Sequence, residues 1–168
     1  MQTINSNDMA TVKVGFEEVN QVDYPVHEAI DIITRIVKGT YLSQTSGIPK
    51  IYIYMAKKPT NLHRGTPYRM SQNYIDRMNQ AIIRIADGLI MEQVQPEMAA
   101  IQLSDLNAWL KLAPFFTTYT DKGVGWMKAH IDKRNQRYYN QFDADTLRQI
   151  NNGLQDLARQ IAAIHVVA

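Results

Sequence analysis

Apolar residues recur at steps of three and four along two long stretches of the chain. The members are Ile75, Met78, Ile82, Ile85 and Leu89 in the first heptad series, and Leu147, Ile150, Leu154, Leu157, Ile161 and Ile164 in the second. Such spacing places a whole series on one face of an α-helix. The pattern predicts two long helices, the first capped at Thr66 or Ser71 and the second at Asp143 or Asp145. Gly88, inside the first, would permit a close crossing with another helix.

A shorter helix is predicted to begin near Pro25, because proline suits the first turn, where its missing N–H has no intrahelical partner in any case. Apolar residues follow at helical spacing, and acidic side chains precede basic ones, which is the order that the helix dipole favours. Gly39 is the predicted stop, with continuation to Tyr41 as the alternative.

Two further helices are predicted in the second half of the chain. Ser104 is the predicted cap of one, which Pro114 closes, and the other covers 126–139 after a pair of glycines. Between them, the FFTTYT stretch at 115–120 is predicted to be an aromatic loop or a short extended piece.

Two short stretches alternate in the manner of β-strands. In 11–16 the apolar residues, Phe16 among them, fall on one side, and in 50–56 (KIYIYMA) they alternate with tyrosines. Enrichment in aromatic and β-branched residues favours a strand at 50–56 over the competing helix beginning at Pro49. The two stretches are the natural partners for each other.

The predicted fold class is therefore mainly α, a helical bundle of four to five helices with a minor β element. Residues 1–10 are polar and without periodicity, so a flexible N-terminal arm is expected there, followed by a single helical domain over 11–168. A chain of 168 residues is long enough to bury a core of its own.

Several chemistries find no support in the sequence. With no cysteine, disulfides, thiolate metal sites and cysteine nucleophiles are excluded. No serine stands in a nucleophile elbow, no nucleotide-binding glycine loop is complete, and the histidines share no metal-ligand spacing. We therefore expect no enzymatic activity, no cofactor and no metal. No signal peptide or membrane span is visible either, so a cytoplasmic or virion location is expected.

Charge is unevenly distributed along the chain, although its net value is only +2. The acidic stretch (1–34) carries a net charge of −5 and the basic stretch (35–84) one of +8, while 85–168 carries −1. Opposite patches on one body can meet in a head-to-tail contact between copies, which closes into rings or extends into filaments. A homo-oligomer, or an assembly with other protein subunits, is therefore expected.

Two groups of cations accompany aromatic residues. The first group lies in a predicted loop and the second on the predicted helix 126–139; they are Lys57, Lys58, His63, Arg64 and Arg69, and Lys133, Arg134 and Arg137. Cations interleaved with aromatic rings are typical of single-stranded nucleic-acid binding, in which phosphates are neutralised and bases stack. The acidic surface of a protein is an equally economical partner, and a solvated helix face is the structural alternative.

The second heptad series has two interpretations. Packing inside the bundle is the default for a helix that buries one stripe. Docking of a partner is the other, and the apolar end of the chain favours it; the interface candidates are Leu154, Leu157, Ile161 and Ile164.

The function that these features favour is a non-catalytic structural subunit that makes protein–protein contacts in a larger oligomer. A virion component such as a connector, ring or coat protein is one concrete form of it, because the chain is short, cysteine-free, without catalytic motifs and asymmetric in charge. The alternative is a nucleic-acid-binding protein that uses the basic aromatic segment 50–69 and the helix 126–139.

Overall fold

Eight α-helices make up most of the fold in a computed structural model that describes residues 10–168. In chain order they are α1 (Val26–Ile36), α2 (Gly39–Ser46), α3 (Lys50–Ala56), α4 (Gln72–Ile90), α5 (Ala99–Asn107), α6 (Leu112–Tyr119), α7 (Val124–Ile131) and α8 (Ala144–Ala162). A mainly helical fold with a small β component is thus confirmed. The count of four to five helices is not, because short helices occupy segments that the sequence predicted as strand or loop. The predicted arm lies almost wholly outside the described residues.

The two longest helices, α4 and α8, pack against each other and carry every member of the two heptad series except Ile164, and all members are buried. Their predicted caps at Ser71 and Asp143 are confirmed. The Ser71 hydroxyl accepts from the Tyr74 N–H at 3.3 Å, and the Asp143 carboxylate accepts from the Thr146 N–H at 2.7 Å. No helix within residues 10–168 combines the length and the apolar character that a bilayer crossing needs.

The docking face inferred from the second heptad series is buried within the chain. Its four members are Leu154, Leu157, Ile161 and Ile164. The first three lie on α8, and the last belongs to β6 (Ile164–Val167), which pairs in parallel with β3 (Val22–Pro25). Packing inside the fold is therefore the interpretation that the structure supports. A partner could reach these side chains only by opening the core.

The segment 50–56 is helix α3 and not the predicted strand. Pro49 stands at its N-cap, and the Pro49 carbonyl accepts from the Tyr52 N–H at 2.9 Å. In so short a run, alternation fits two turns of helix as well as a strand. The core side is formed by Ile53 and Ala56, three positions apart, which are both buried.

The first strand, β1 (Thr11–Val14), pairs antiparallel with β2 (Glu17–Asn20) and not with the segment 50–56. The register leaves Gly15 and Phe16 as a two-residue loop. Gly15 has φ of +60°, and glycine at the first loop position fits a type II′ turn. Phe16 was expected on the same side as Val12 and Val14. It points away from the core instead and is 98% exposed.

The first short helix, α1, begins after Pro25 as predicted, but it ends at Ile36. Gly39 then begins α2 instead of ending α1. The glycine with stop geometry is Gly47, which follows α2 in the left-handed conformation with φ of 69°.

Three predictions for the second half need correction. Ser104 lies inside α5 and is not its cap. The stretch 115–120 lies largely in α6, where Pro114 occupies the first turn, a position that suits a helix start. The predicted helix 126–139 ends at Ile131, where α7 stops.

A close helix crossing does exist, but at Gly153 and not at Gly88. A Cβ at Gly153 would lie 2.7 Å from the Tyr119 Cβ and 3.0 Å from the Phe115 Cζ, so α6 and α8 approach closely there. A Cβ at Gly88 would have no neighbour within 4 Å. The absence of a side chain at Gly153 therefore permits the close approach of α8 to α6. At Gly88 it permits no such contact and only lowers the stability of α4.

Gly153→Ala is expected to lower the free energy of unfolding by about 1–3 kcal/mol, because the added methyl overpacks the α6–α8 contact. The matched change Gly88→Ala should raise it by about 0.5–1 kcal/mol, because alanine loses less entropy in a helix. Urea denaturation followed by circular dichroism measures both. A neutral or stabilising Gly153→Ala would contradict the close crossing.

Leu154→Ala should cost about 2–5 kcal/mol of unfolding free energy, because Leu154 is 0% exposed and its truncation leaves a cavity. The same urea titration measures it, with the oligomeric state checked by light scattering. Unchanged stability together with an altered oligomeric state would show instead that the second heptad series is an interface.

Candidate interaction surfaces

Four aromatic rings pack together in and beside the segment 50–69. Tyr52 stacks on Tyr68 with 5.7 Å between ring centroids. His63 meets Tyr52 edge-on at 6.0 Å, and Tyr74 lies 5.8 Å from Tyr52. Burial and the neighbouring tyrosines raise the pKa of Tyr68 above its usual value. His63, predicted as a polyanion contact, is thus half-buried in an aromatic cluster.

A small hairpin lies among the cations of the first group, with Arg64 in its turn, Lys57 and Lys58 before it and Arg69 after it. Its strands are β4 (Leu62–His63) and β5 (Thr66–Pro67), and the turn between them is formed by Arg64 and Gly65, both with positive φ. Such a pair fits a type I′ turn. The Asn61 amide donates to two backbone carbonyls at the end of α3, at 3.2 and 3.1 Å. The hairpin is thereby fixed to α3.

The cations in and beside this hairpin are not neutralised by ion pairs with other described residues. They are Lys57, Lys58, Arg64 and Arg69, and none of the four forms an ion pair within residues 10–168. All but the half-buried Lys57 are exposed. The hairpin is therefore a positive surface on the described part of the chain.

The second group of cations lies in turns after α7 and not on a helix face. Arg134 binds the Asp132 carboxylate through Nε and Nη2, and these hydrogen bonds hold the pKa of Asp132 below its usual value. The Arg137 guanidinium lies 5.1 Å from the centre of the Tyr138 ring. Two of the three cations are thus engaged already, and Lys133 remains exposed.

The structure does not bring the two cationic groups together. The first is attached to α3, which packs on α1 and α2, whereas the second follows α7, which packs on α5 and α6. A continuous nucleic-acid groove over both groups has no support in these contacts.

The carboxylates of the acidic stretch are largely occupied within the chain. Glu17 accepts from the Arg159 guanidinium at 2.6 and 2.9 Å, and Asp23 meets a histidine of β6 at 2.8 Å. Asp31 binds Arg35 at 2.6 Å, a pair that joins the acidic and basic stretches. The two stretches do not neutralise each other broadly, but the acidic surface left for a second copy is smaller than the sequence suggests.

An exposed apolar surface lies next to the cationic hairpin. Ile51, Tyr54 and Leu62 are 58%, 68% and 61% exposed. Ile51 and Tyr54 share the solvent side of α3, and Leu62 follows the asparagine that is bonded to the end of this helix. We call these three residues, with Lys57 and Lys58, the α3 face. The prediction of a strand at 50–56 did not reveal this face. Helical spacing is needed to separate Ile51 and Tyr54 from the buried side of the segment.

A pocket opens between α1, α6 and α8, with a volume of about 230 Å³. Its walls include Ile36, Phe115 and Leu157, which the sequence does not associate with one another. Tyr119 also lines it, and burial together with a 2.8 Å hydrogen bond to Asp156 raises the pKa of that tyrosine. We call it the α1/α6/α8 pocket.

The histidines offer no metal site in the described residues. His130 is buried, its ring stacks on Trp126 at 3.6 Å, and its Nδ1 lies 2.6 Å from the Trp126 carbonyl oxygen. Within residues 10–168, no three His, Asp or Glu side chains are grouped as metal ligands.

Comparisons of the chain with protein-family models, curated proteins and solved structures found no match. A function has to be inferred from the surfaces of the chain itself.

Proposed function

We propose that the chain is a non-catalytic subunit of a larger protein assembly, in which it contacts further copies of itself through the α3 face. The observation that carries this proposal is the group of three exposed apolar side chains, Ile51, Tyr54 and Leu62, beside Lys57 and Lys58. An apolar centre with a polar rim is the usual anatomy of a protein interface. Adjacent exposed apolar side chains on a soluble domain commonly mark such a site.

A protein partner suits this surface better than a nucleic acid does. Isoleucine and leucine present no flat ring on which a base could stack, and base stacking needs aromatic faces. Tyr52 and Tyr68 turn their rings towards each other and are half-buried. The neighbouring cations would attract an acidic protein surface and set the orientation of the contact. A connector, ring or coat protein of a virion is one form that such a subunit takes, acting in the cytoplasm or in the particle.

The expected state of the purified chain is an oligomer whose mass, measured by size-exclusion chromatography with light scattering, rises with concentration. Ile51→Ser combined with Leu62→Ser should shift it towards the monomer at an unchanged melting temperature, because both side chains are exposed. Met98→Ser with Ile101→Ser is the matched control, since these residues of the α5 region are 51% and 45% exposed. Wild-type protein that stays monomeric at every concentration, or a double variant that associates like wild type, would contradict the proposal.

Nucleic-acid binding is the second candidate function. Two observations favour it. Four cations in and beside the hairpin form no ion pair within residues 10–168, and the ring of Tyr54 in the same region is 68% exposed. Phosphate neutralisation with a single stacking ring would give weak binding with little sequence preference.

For this candidate, Lys57→Glu with Lys58→Glu should weaken the binding of a labelled single-stranded oligonucleotide, measured by fluorescence anisotropy in a salt titration. The slope of log affinity against log salt should fall by about 0.7 for each phosphate that is no longer neutralised. Lys133→Glu is the control from the other cationic group. The melting temperature should not change. A large drop would mean that Lys57 and Lys58 stabilise the fold. Absence of binding even at low salt removes this candidate, because phosphate attraction is strongest there.

A further inference from the structure

The tip of the β1–β2 hairpin presents an aromatic ring to solvent on a firm support. Phe16 is 98% exposed. The adjacent Gly15 N–H donates to the Asp87 carboxylate at 3.0 Å, and a Cβ on Gly15 would stand 3.1 Å from the Ile90 Cγ2. The turn is therefore held against the C-terminal half of α4. A backbone that is held in place in advance loses little conformational entropy when the side chain that it carries binds.

The strand that follows the tip is anchored as well and carries one more negative charge. Glu17 is bound to Arg159 of α8, and this hydrogen bonding lowers the pKa of the Glu17 carboxyl. Glu18 is exposed and forms no ion pair within residues 10–168. Lys13 is its partner across the hairpin, but the two side chains form no ion pair, so the hairpin offers an aromatic ring with an exposed carboxylate two residues further on.

The α1/α6/α8 pocket has the size and lining that such a ring needs. Its walls include the apolar side chains of Ile36, Leu110, Phe115 and Leu157. A closed cavity of roughly 150 Å³ already holds a benzene molecule. The pocket, at about 230 Å³, can therefore accept a phenyl ring together with its Cβ.

The charged side chains that line the pocket are opposite in sign to the Glu18 carboxylate. Arg35 and Lys111 are the charged residues that line it, and both are exposed. Arg35 is bound to Asp31, whereas Lys111 forms no ion pair within residues 10–168. A carboxylate arriving with the ring would find its partner in Lys111.

We propose that Phe16 of one copy inserts into the α1/α6/α8 pocket of a second copy, with Glu18 pairing with Lys111. This inference rests on the proposed self-assembly and adds to it a contact that does not use the α3 face. The buried ring would supply most of the affinity, and the charge pair would set the register. Because the Phe16 side chain and the pocket are different surfaces, the contact is heterologous. It therefore repeats into a closed ring of copies or into a filament.

The test uses the full chain in sedimentation velocity over a concentration series. Phe16→Ala should raise the dissociation constant at least tenfold without changing the melting temperature, because the side chain is almost wholly in solvent within one copy. Thr118→Trp, an exposed lining position, should have the same effect by filling the pocket. Ile101→Ala is the control for truncation of an exposed apolar side chain and should associate like wild type.

Mixing the two defective variants gives a sharper result. The Phe16→Ala chain keeps its pocket and the Thr118→Trp chain keeps its ring, so the mixture should regain this contact in a complex of two chains, although neither variant makes the contact alone. Similarly, Glu18→Lys and Lys111→Glu should each weaken association, and the double variant should recover it.

The outcomes separate this inference from the proposed function. If Phe16→Ala associates like wild type while Ile51→Ser with Leu62→Ser does not, the ring contact is overturned and assembly through the α3 face stands. The reverse result overturns the α3 face and supports the ring contact. Loss of association in Phe16→Ala but not in Thr118→Trp would mean that the ring docks elsewhere, which overturns the pocket assignment. A wild-type chain that never associates overturns both.

Discussion

The packing of α4 against α8 is the contact on which the rest of the fold depends. Each helix buries its members of a heptad series in the core, and α2, α6, β1 and β6 pack directly on one or both of these helices. Two asparagines make the attachment specific. The Asn79 side chain both accepts from and donates to the backbone of Val166, at 2.8 and 3.0 Å, and Asn151 does the same with Val94, at 2.8 and 3.1 Å. A side-chain amide can satisfy both polar groups of one residue, so β6 and the segment after α4 are held in a single register.

Because both apolar series are used inside the fold, interaction with a partner has to rely on smaller features of the surface. The sequence directs attention to opposite charges, yet ion pairs such as Glu17 with Arg159 occupy much of the acidic stretch within the chain. Exposed apolar side chains also remain accessible, among them those of the α3 face and Phe16. In the proposed contacts, charge would set the orientation, while the affinity would come from the removal of apolar surface from water.

Short segments are where sequence reasoning failed, and the reason is physical. Helix α3 has seven residues, so its apolar side is marked by very few positions, and the alternation of isoleucine with tyrosine fits a strand equally well. Glycine is ambiguous in the same way. Gly39 and Gly47 both follow a helical pattern, but only Gly47 adopts a left-handed conformation, and the residue type does not reveal φ.

The sequence by itself determined the two long helices, because their apolar series run from Ile75 to Leu89 and from Leu147 to Ile164 and their caps at Ser71 and Asp143 are local hydrogen bonds. It also determined the absence of cysteine chemistry and the uneven distribution of charge. Only the tertiary structure decided that Phe16 points into solvent, that Gly153 and not Gly88 allows a close crossing, and that Ile36 and Leu157 share a pocket. Those features depend on which elements meet in space, and residues far apart in the chain carry no local pattern that records such a meeting.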